Sequence, residues 1–281
     1  MTNNEKKPAT ITRDSVNGLM ETVRNLYLAD DIPWVIGYSG GKDSTATVQL
    51  VWLALRELPK NQLHKAVHVI NTDTLVESPV IAQWVRKSLK IMSRAAGEEG
   101  LPFVTHRLTP ATNNTFWVNF LGRGYPFPRK KLRWCTDRLK IQPVNNFVKS
   151  KIAEYGEIVM VLGTRKAESQ RRARTMAYYE KKRVRELLSP NPTMANELVF
   201  SPLEDWTDDD VWVFLMQYKN PENRELILEG LKMTGRMDLV GFGPKCLIRP
   251  RELHKKAKIH IALDTGMNRI GFKDTQKSAA V

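Results

Sequence analysis

Cysteine is almost missing from this 281-residue chain: Cys135 and Cys246 are the only two, and no CxxC pair exists. A zinc site or an iron-sulfur cluster built from four thiolates of one chain is therefore excluded, because the ligands are absent. Long apolar runs are missing too. No stretch approaches the roughly 20 residues that a membrane-spanning helix needs. The opening MTNNEKKPAT is polar, with no apolar signal-peptide core behind it, so a cytoplasmic location away from any membrane is expected. Acidic residues are in short supply: 44 Lys and Arg stand against 30 Asp and Glu, a net charge of +14. A surplus of that size points to a polyanionic partner. With 42% hydrophobic residues, the chain can still build a full core.

What is present is an alternation of short apolar runs and longer amphipathic ones. Val16, Leu19, Met20, Val23, Leu26 and Tyr27 fall at helical spacing in a lead segment, residues 1–30. Strands are predicted at residues 34–38, 66–71, 103–108 and 158–162. Helices are predicted at 44–58, 79–96, 142–153 and 208–218. Strands alternating with helices imply an α/β fold, a doubly wound and mostly parallel sheet with helices on both faces. The predicted division is a lead at 1–30, a sheet domain at 31–205, and a smaller, mainly helical part with a loosely ordered tail at 206–281. Ligands of such sheets bind beyond the carboxyl ends of the strands. The segments after the four predicted strands are therefore expected to converge on one crevice.

The first of these segments is GYSGGKDST, residues 37–45. Two glycines between a strand and a helix aim backbone N–H groups and the positive helix end at an anion, so this is a phosphate-binding turn. The P-loop spacing GxxxxGK(S/T) does not fit. Its first glycine would fall at Ile36, and Asp43 stands where Ser or Thr is needed.

Three further strings follow in order: RWCTDRLK at 133–140, GTRKAES at 163–169 and EDWTDDDVW at 204–212. Together with SGGKDS they resemble the adenine nucleotide alpha hydrolases, specifically the PAPS reductase superfamily and, within it, the DndC-like proteins of DNA phosphorothioation. The resemblance implies a pyrophosphate loop after the first strand and cleavage of ATP between its α and β phosphates. It assigns Ser39, Gly40, Gly41, Lys42, Asp43 and Ser44 to the pyrophosphate end of ATP. Asp73 falls at the nucleotide, and Gly163, Thr164, Arg165 and Lys166 lie near the α phosphate. Magnesium is assigned to Asp43 and Asp73, and catalytic roles to Lys42, Arg165 and Cys135. Glu168 would balance Arg165 or Arg171. DndC-like proteins carry a cysteine cluster after the tryptophan motif; this chain has only Cys246 there, which is similar to the cluster-free, SspD-like branch. The expected partners are DNA, a cysteine desulfurase as sulfur donor, other phosphorothioation proteins and a second copy of the chain.

Two basic stretches fit the DNA expectation. Residues 165–185 carry nine Lys or Arg against Glu168 and Glu180, and Arg129, Lys130, Lys131, Arg133, Arg138 and Lys140 surround Cys135. Such charge holds a nucleic-acid backbone without reading its sequence, and Trp117, Trp134, Tyr178 and Tyr179 could stack on bases. Positive neighbours also favour the reactive form of the Cys135 thiol. Other readings are a reductase of adenylylated sulfate, a tRNA thiolase, and a non-catalytic subunit that binds ATP and DNA. The reductase needs a cysteine near the C-terminus, where this sequence ends KSAAV.

Overall fold

The structure is a computed structural model and describes residues 11–129, 132–185, 187–216, 224–233, 235, 237–241 and 246. The predicted end of the fourth helix at 217–218 and the loosely ordered tail lie outside the described residues, as do Lys130 and Lys131. The chain divides into two compact units. One is Asp14–Glu204; the other comprises the described residues of Met1–Arg13 and Asp205–Val281.

The first unit opens with helix α1 (Arg13–Leu28) and strand β1 (Trp34–Gly37), followed by α2 (Lys42–Arg56), β2 (Val67–Thr72), α3 (Pro79–Glu99) and β3 (Phe103–Leu108). A long irregular segment leads to the single helical turn α4 (Trp134–Thr136). A π-helical turn at Asp137–Ile141 then runs into α5 (Gln142–Tyr155). β4 (Ile158–Val161), α6 (Gln170–Glu180), β5 (Ser189–Pro190) and β6 (Glu197–Phe200) complete it. The last two strands have no counterpart in the sequence prediction. β6 opens on a charged residue, Glu197, which leaves only Leu198, Val199 and Phe200 as an apolar run, and β5 has two residues, one of them a proline, which argues against a strand.

The six strands lie in the order β3-β2-β1-β4-β6-β5, all parallel except β5, which runs antiparallel to β6. This is the predicted α/β, doubly wound, mostly parallel sheet. β1 sits between β2 and β4, and the chain leaves it in one direction to β2 and β3 before returning on the other side to β4. The switch point therefore lies between the carboxyl ends of β1 and β4.

Residues in register share a face of the sheet. Val35, His68 and Met160 are in register. Val35 and Met160 pack with Ile70, Val148 and Ile158 against Phe147 and Ile152 of α5. On the opposite face Trp34 meets Tyr27 of α1 edge-on at 5.6 Å, and Phe103, in register with Val67, meets Trp52 of α2 at 4.6 Å. Both faces are thus covered, which explains why the central strands read as continuous apolar runs rather than alternating ones. Among the described residues, no helix is long and apolar enough to cross a membrane.

In the second unit, α7 (Asp208–Met216) begins with a reciprocal cap. Thr207 donates its N–H and hydroxyl to Asp210 Oδ2 at 2.7 and 2.6 Å, and Asp210 returns its N–H to Thr207 Oγ1 at 3.1 Å. Trp206 packs on Phe214 at 5.2 Å. The tryptophan string thus serves as a helix start. Ile227 and Leu231 of α8 (Arg224–Met233) pack with Met216, Leu239 and Val240.

One polar pair lies inside the α5 face. His68 Nδ1 and His106 Nε2 are 3.0 Å apart, and the His106 ring packs on Phe147 at 4.8 Å, tilted by 53°. Burial first, then the charges of His106 and Lys151, hold the His68 imidazole down from 6.5 to about 4; burial and Lys151 also lower His106. Between those two values an unfolded chain binds a proton on His68 that the native one refuses, so stability falls as pH falls from 6.5 toward 4. At about 1.4 kcal/mol per pH unit the loss is roughly 3 kcal/mol. Urea unfolding at pH 7.5 and pH 4.5 should show this drop, and His68→Asn should flatten it; equal pH slopes for the two proteins would contradict the assignment.

Candidate nucleotide site

The glycine turn joins β1 to α2 at the switch point. Gly40 takes φ +72°, and a Cβ there would stand 3.0 Å from Val85 Cγ2 of α3, so both conformation and space call for glycine. Gly41 is the N-cap of α2 and supplies no side-chain cap. Helix α2 begins at Lys42, two residues before the predicted start at 44, because the turn closes onto it. Thr45 donates both N–H and hydroxyl to Gly41 O, at 2.9 and 2.8 Å. Ser44 Oγ donates to the same carbonyl at 3.0 Å, lies 3.1 Å from Ser39 Oγ and accepts the Ser39 N–H at 3.2 Å. Lys42 and Asp43 thus stand in the first helical turn, where N–H groups have no partner within the helix and the dipole favours an anion.

The loop after β4 meets this turn. Arg165 is 1% exposed and donates from Nε to Asp43 Oδ1 at 2.7 Å. Lys42 Nζ reaches both oxygens of Asp43 at 3.0 Å. One carboxylate therefore fixes two cations at the mouth of the switch point. Gly163 passes so close to α2 that a Cβ would lie 2.7 Å from Thr47 Oγ1 and 2.8 Å from Asp43 O. The structure gives this glycine a packing reason beside any nucleotide role. Thr164 Oγ1 lies 2.8 Å from Ser201 Oγ, and Lys166 pairs with Glu180 at 3.5 Å and Glu204 at 3.9 Å. Glu168 accepts the Arg165 N–H at 3.1 Å and pairs with Arg172 at 3.0 Å, rather than with the side chain of Arg165 or Arg171.

The loop after β2 joins the same edge through Asn71, whose Nδ2 donates to Tyr38 O at 2.8 Å. Asp73 is buried and accepts Arg107 Nη2 at 2.6 Å, Arg107 Nε at 3.1 Å and the Leu75 N–H at 2.9 Å. Burial pushes its carboxyl up, but these bonds and the charges of Arg107 and Arg86 outweigh it and hold the group below the ordinary carboxylate value. Arg107 was missed from the sequence; its place at the carboxyl end of β3, in register with Asn71, is the signal that could have found it.

A nucleotide pyrophosphate fits what is present: a helix N-terminus with no side-chain cap, two hydroxyls and two fixed cations. The donor set does not offer magnesium a cage of its own, since Asp43 and Asp73 each already carry an arginine. Magnesium prefers few carboxylates and several phosphate oxygens, so it fits here as part of the nucleotide complex.

Cys135 lies partly buried on the α4 turn. Its neighbour Arg138 is directed to Tyr125 Oη at 2.8 Å and Asn114 Oδ1 at 3.3 Å, and Lys140 pairs with Glu77 of the β2 loop at 3.1 Å. In the second unit, Cys246 packs against Gly241, where a Cβ would lie 2.9 Å from its Sγ. Much of the charge at residues 165–185 is answered by carboxylates. Arg165, Lys166 and Arg172 are paired as above, Arg183 pairs with Glu204 at 2.8 Å, and Arg185 pairs with Asp30 at 3.2 Å. Arg171, Arg174 and Lys181 stand exposed.

A parallel sheet with a glycine turn, a helix N-terminus and fixed cations at its switch point defines a nucleotide-binding α/β protein of the PP-loop kind. The chain belongs to the phosphoadenosine phosphosulfate reductase domain family, whose description it matches over residues 33–239; residues 212–278 also match a domain of unknown function, DUF3362. An uncharacterized protein of Methanocaldococcus jannaschii is 25% identical over 202 residues, which cover 72% of this chain and 35% of that protein. A UPF0313 protein of Clostridium perfringens is 29% identical over 93 residues, 29% of this chain and 14% of that protein. The chain thus spans about a third, or less, of the length of these curated relatives. Similar solved structures include the phosphoadenylyl-sulfate reductase of Candida auris in its phosphate complex, with 14% identity, 79% of this chain and 95% of that one covered, and a TM-score of 0.42. The U34-tRNA thiolase NcsA of Methanococcus maripaludis, with its 4Fe-4S cluster, gives 15%, 77%, 72% and 0.44.

Gly163→Ala tests the close approach. Forcing a methyl against backbone is expected to cost about 1–3 kcal/mol and to weaken nucleotide binding by displacing Arg165. Thermal unfolding and nucleotide titration read the two effects; wild-type values in both would show that the loop yields without cost.

Proposed function

We propose that the chain splits ATP into AMP and pyrophosphate in order to activate a DNA backbone phosphate for sulfur incorporation. The observation that carries this reading is the pairing of Lys42 and Arg165 on Asp43 at the N-terminus of α2. Negative charge builds on the pyrophosphate as the bond to the α phosphorus breaks, and preset cations and N–H groups stabilise it without reorganising. The turn from Ser39 to Ser44 would hold the β and γ phosphates, and magnesium would arrive with them.

In the first step, a non-bridging oxygen of the DNA phosphate attacks the α phosphorus and pyrophosphate leaves. In the second, a persulfide sulfur attacks the activated phosphate and displaces AMP. A second thiol then cleaves the S–S bond, leaving the sulfur on phosphorus and a disulfide behind. Cys135 is the proposed carrier of that persulfide, loaded by a cysteine desulfurase. The two steps follow from the resemblance to the phosphorothioation proteins; the leaving-group chemistry follows from the residues at the turn.

Product analysis with ATP labelled in its α and γ phosphates should give AMP and pyrophosphate, whereas ADP with phosphate would contradict the reading. Lys42→Ala should lower the rate about a hundredfold or more. With a sulfur donor present, label should appear in DNA; label in RNA would change the acceptor, and label in neither would remove the sulfur step.

A further inference from the structure

The segment from the end of β3 through α4 has its own charge pattern. Residues 109–136 contain no Asp or Glu but five Lys or Arg: Arg123, Arg129, Lys130, Lys131 and Arg133. Where the charge of residues 165–185 is largely spent on carboxylates, this one has no acid of its own to answer it.

The same segment gathers aromatic rings. Phe116 stacks on Trp134 at 5.4 Å and on Phe120 at 5.7 Å, with interplanar angles of 21° and 29°. Phe127 meets Phe116 and Phe120 edge-on at 6.4 and 5.9 Å, and Trp117 meets Phe116 edge-on at 5.2 Å. A cluster formed only to fill a core would hide its rings. Here Trp117 is 57%, Leu121 71% and Phe127 68% exposed, and large apolar side chains left open to water in one segment are what an interaction site offers.

The cluster is also held in place. Asn119 is fully buried and donates to Asn114 Oδ1 at 3.0 Å and Thr115 O at 2.8 Å. Trp134 Nε1 donates to Pro126 O at 2.8 Å. The ordering cost of a binding surface is thus met in advance. Its attachment at the carboxyl end of β3, and the Lys140–Glu77 ion pair, set it on the same sheet edge as the glycine turn.

Exposed rings beside cations that face no carboxylate, Arg123, Arg129 and Arg133 among the described residues, match a ligand that offers flat π faces and negative charge together. Unpaired nucleotides do so; a duplex keeps its base faces stacked inside. We propose that this aromatic knob is a stacking platform for an unpaired stretch of nucleic acid, presenting the strand to the nucleotide site. The inference rests on the reading above that the acceptor is a nucleic-acid phosphate, and it names the form that acceptor takes.

Fluorescence anisotropy with the full chain at low salt would compare labelled single-stranded DNA, single-stranded RNA, the DNA duplex, and an abasic strand with the same number of phosphates. Base-bearing single strands should bind about tenfold or more tighter than the abasic strand and the duplex. The DNA and RNA arms distinguish the sugar. Trp117→Ala and Phe127→Ala, both at exposed positions, should each remove about tenfold for base-bearing strands and leave the abasic strand unchanged. Equal binding of abasic and base-bearing strands by the unaltered protein would overturn the platform while leaving a nucleic-acid acceptor intact. Failure to bind any strand would remove both. Loss of a dimer on Trp117→Ala, seen by sedimentation with strand affinity unchanged, would assign the patch to self-association and overturn the proposal.

Discussion

The contact between Asp43 and Arg165 is the constraint on which the site depends. The two residues are far apart in the chain and come from the first turn of α2, after β1, and the loop after β4, neighbouring strands at which the direction of winding reverses. A buried guanidinium is stable only when its charge is answered, and Asp43 provides an answer from the first turn of α2. That single bond ties the phosphate turn to the opposite lip of the crevice. It also leaves Asp43 acting as an anchor for cations, with Lys42 held on the same carboxylate.

Packing enforces the same geometry. Gly163 lets the β4 loop lie against Thr47 and the backbone of Asp43, so Arg165 enters at hydrogen-bonding distance. Gly40 lets the turn pass under α3. Neither glycine needs a ligand to explain it, yet together they shape the cradle a pyrophosphate would occupy. Structural and functional explanations therefore coincide at these positions.

Charge is the property that the fold redistributes most. As a string, residues 165–185 form the most basic region of the chain; folded, five of its cations face Asp30, Asp43, Glu168, Glu180 or Glu204. Residues 109–136 look less basic on paper, but they contain no carboxylate and carry exposed rings. A polyanion would find more unanswered charge beside the aromatic knob than the sequence alone suggests.

The parallel sheet was legible because β1, β2 and β4 are buried on both faces and read as apolar runs, with helical periods between them. The phosphate turn was legible because two glycines must stand where a backbone bends toward an anion. β5 and β6 were not, since a two-residue strand with a proline, and a strand that opens on Glu197 with only three apolar residues behind it, carry too little pattern. Nor could the chain reveal that Arg107 would bind Asp73, that Glu168 would take Arg172, or that His68 would meet His106. Local pattern sets which elements form, because propensity and periodicity act between residues close in sequence. Which charges and rings meet was decided only when the strands took their order in the sheet, because those partners are neighbours in space alone.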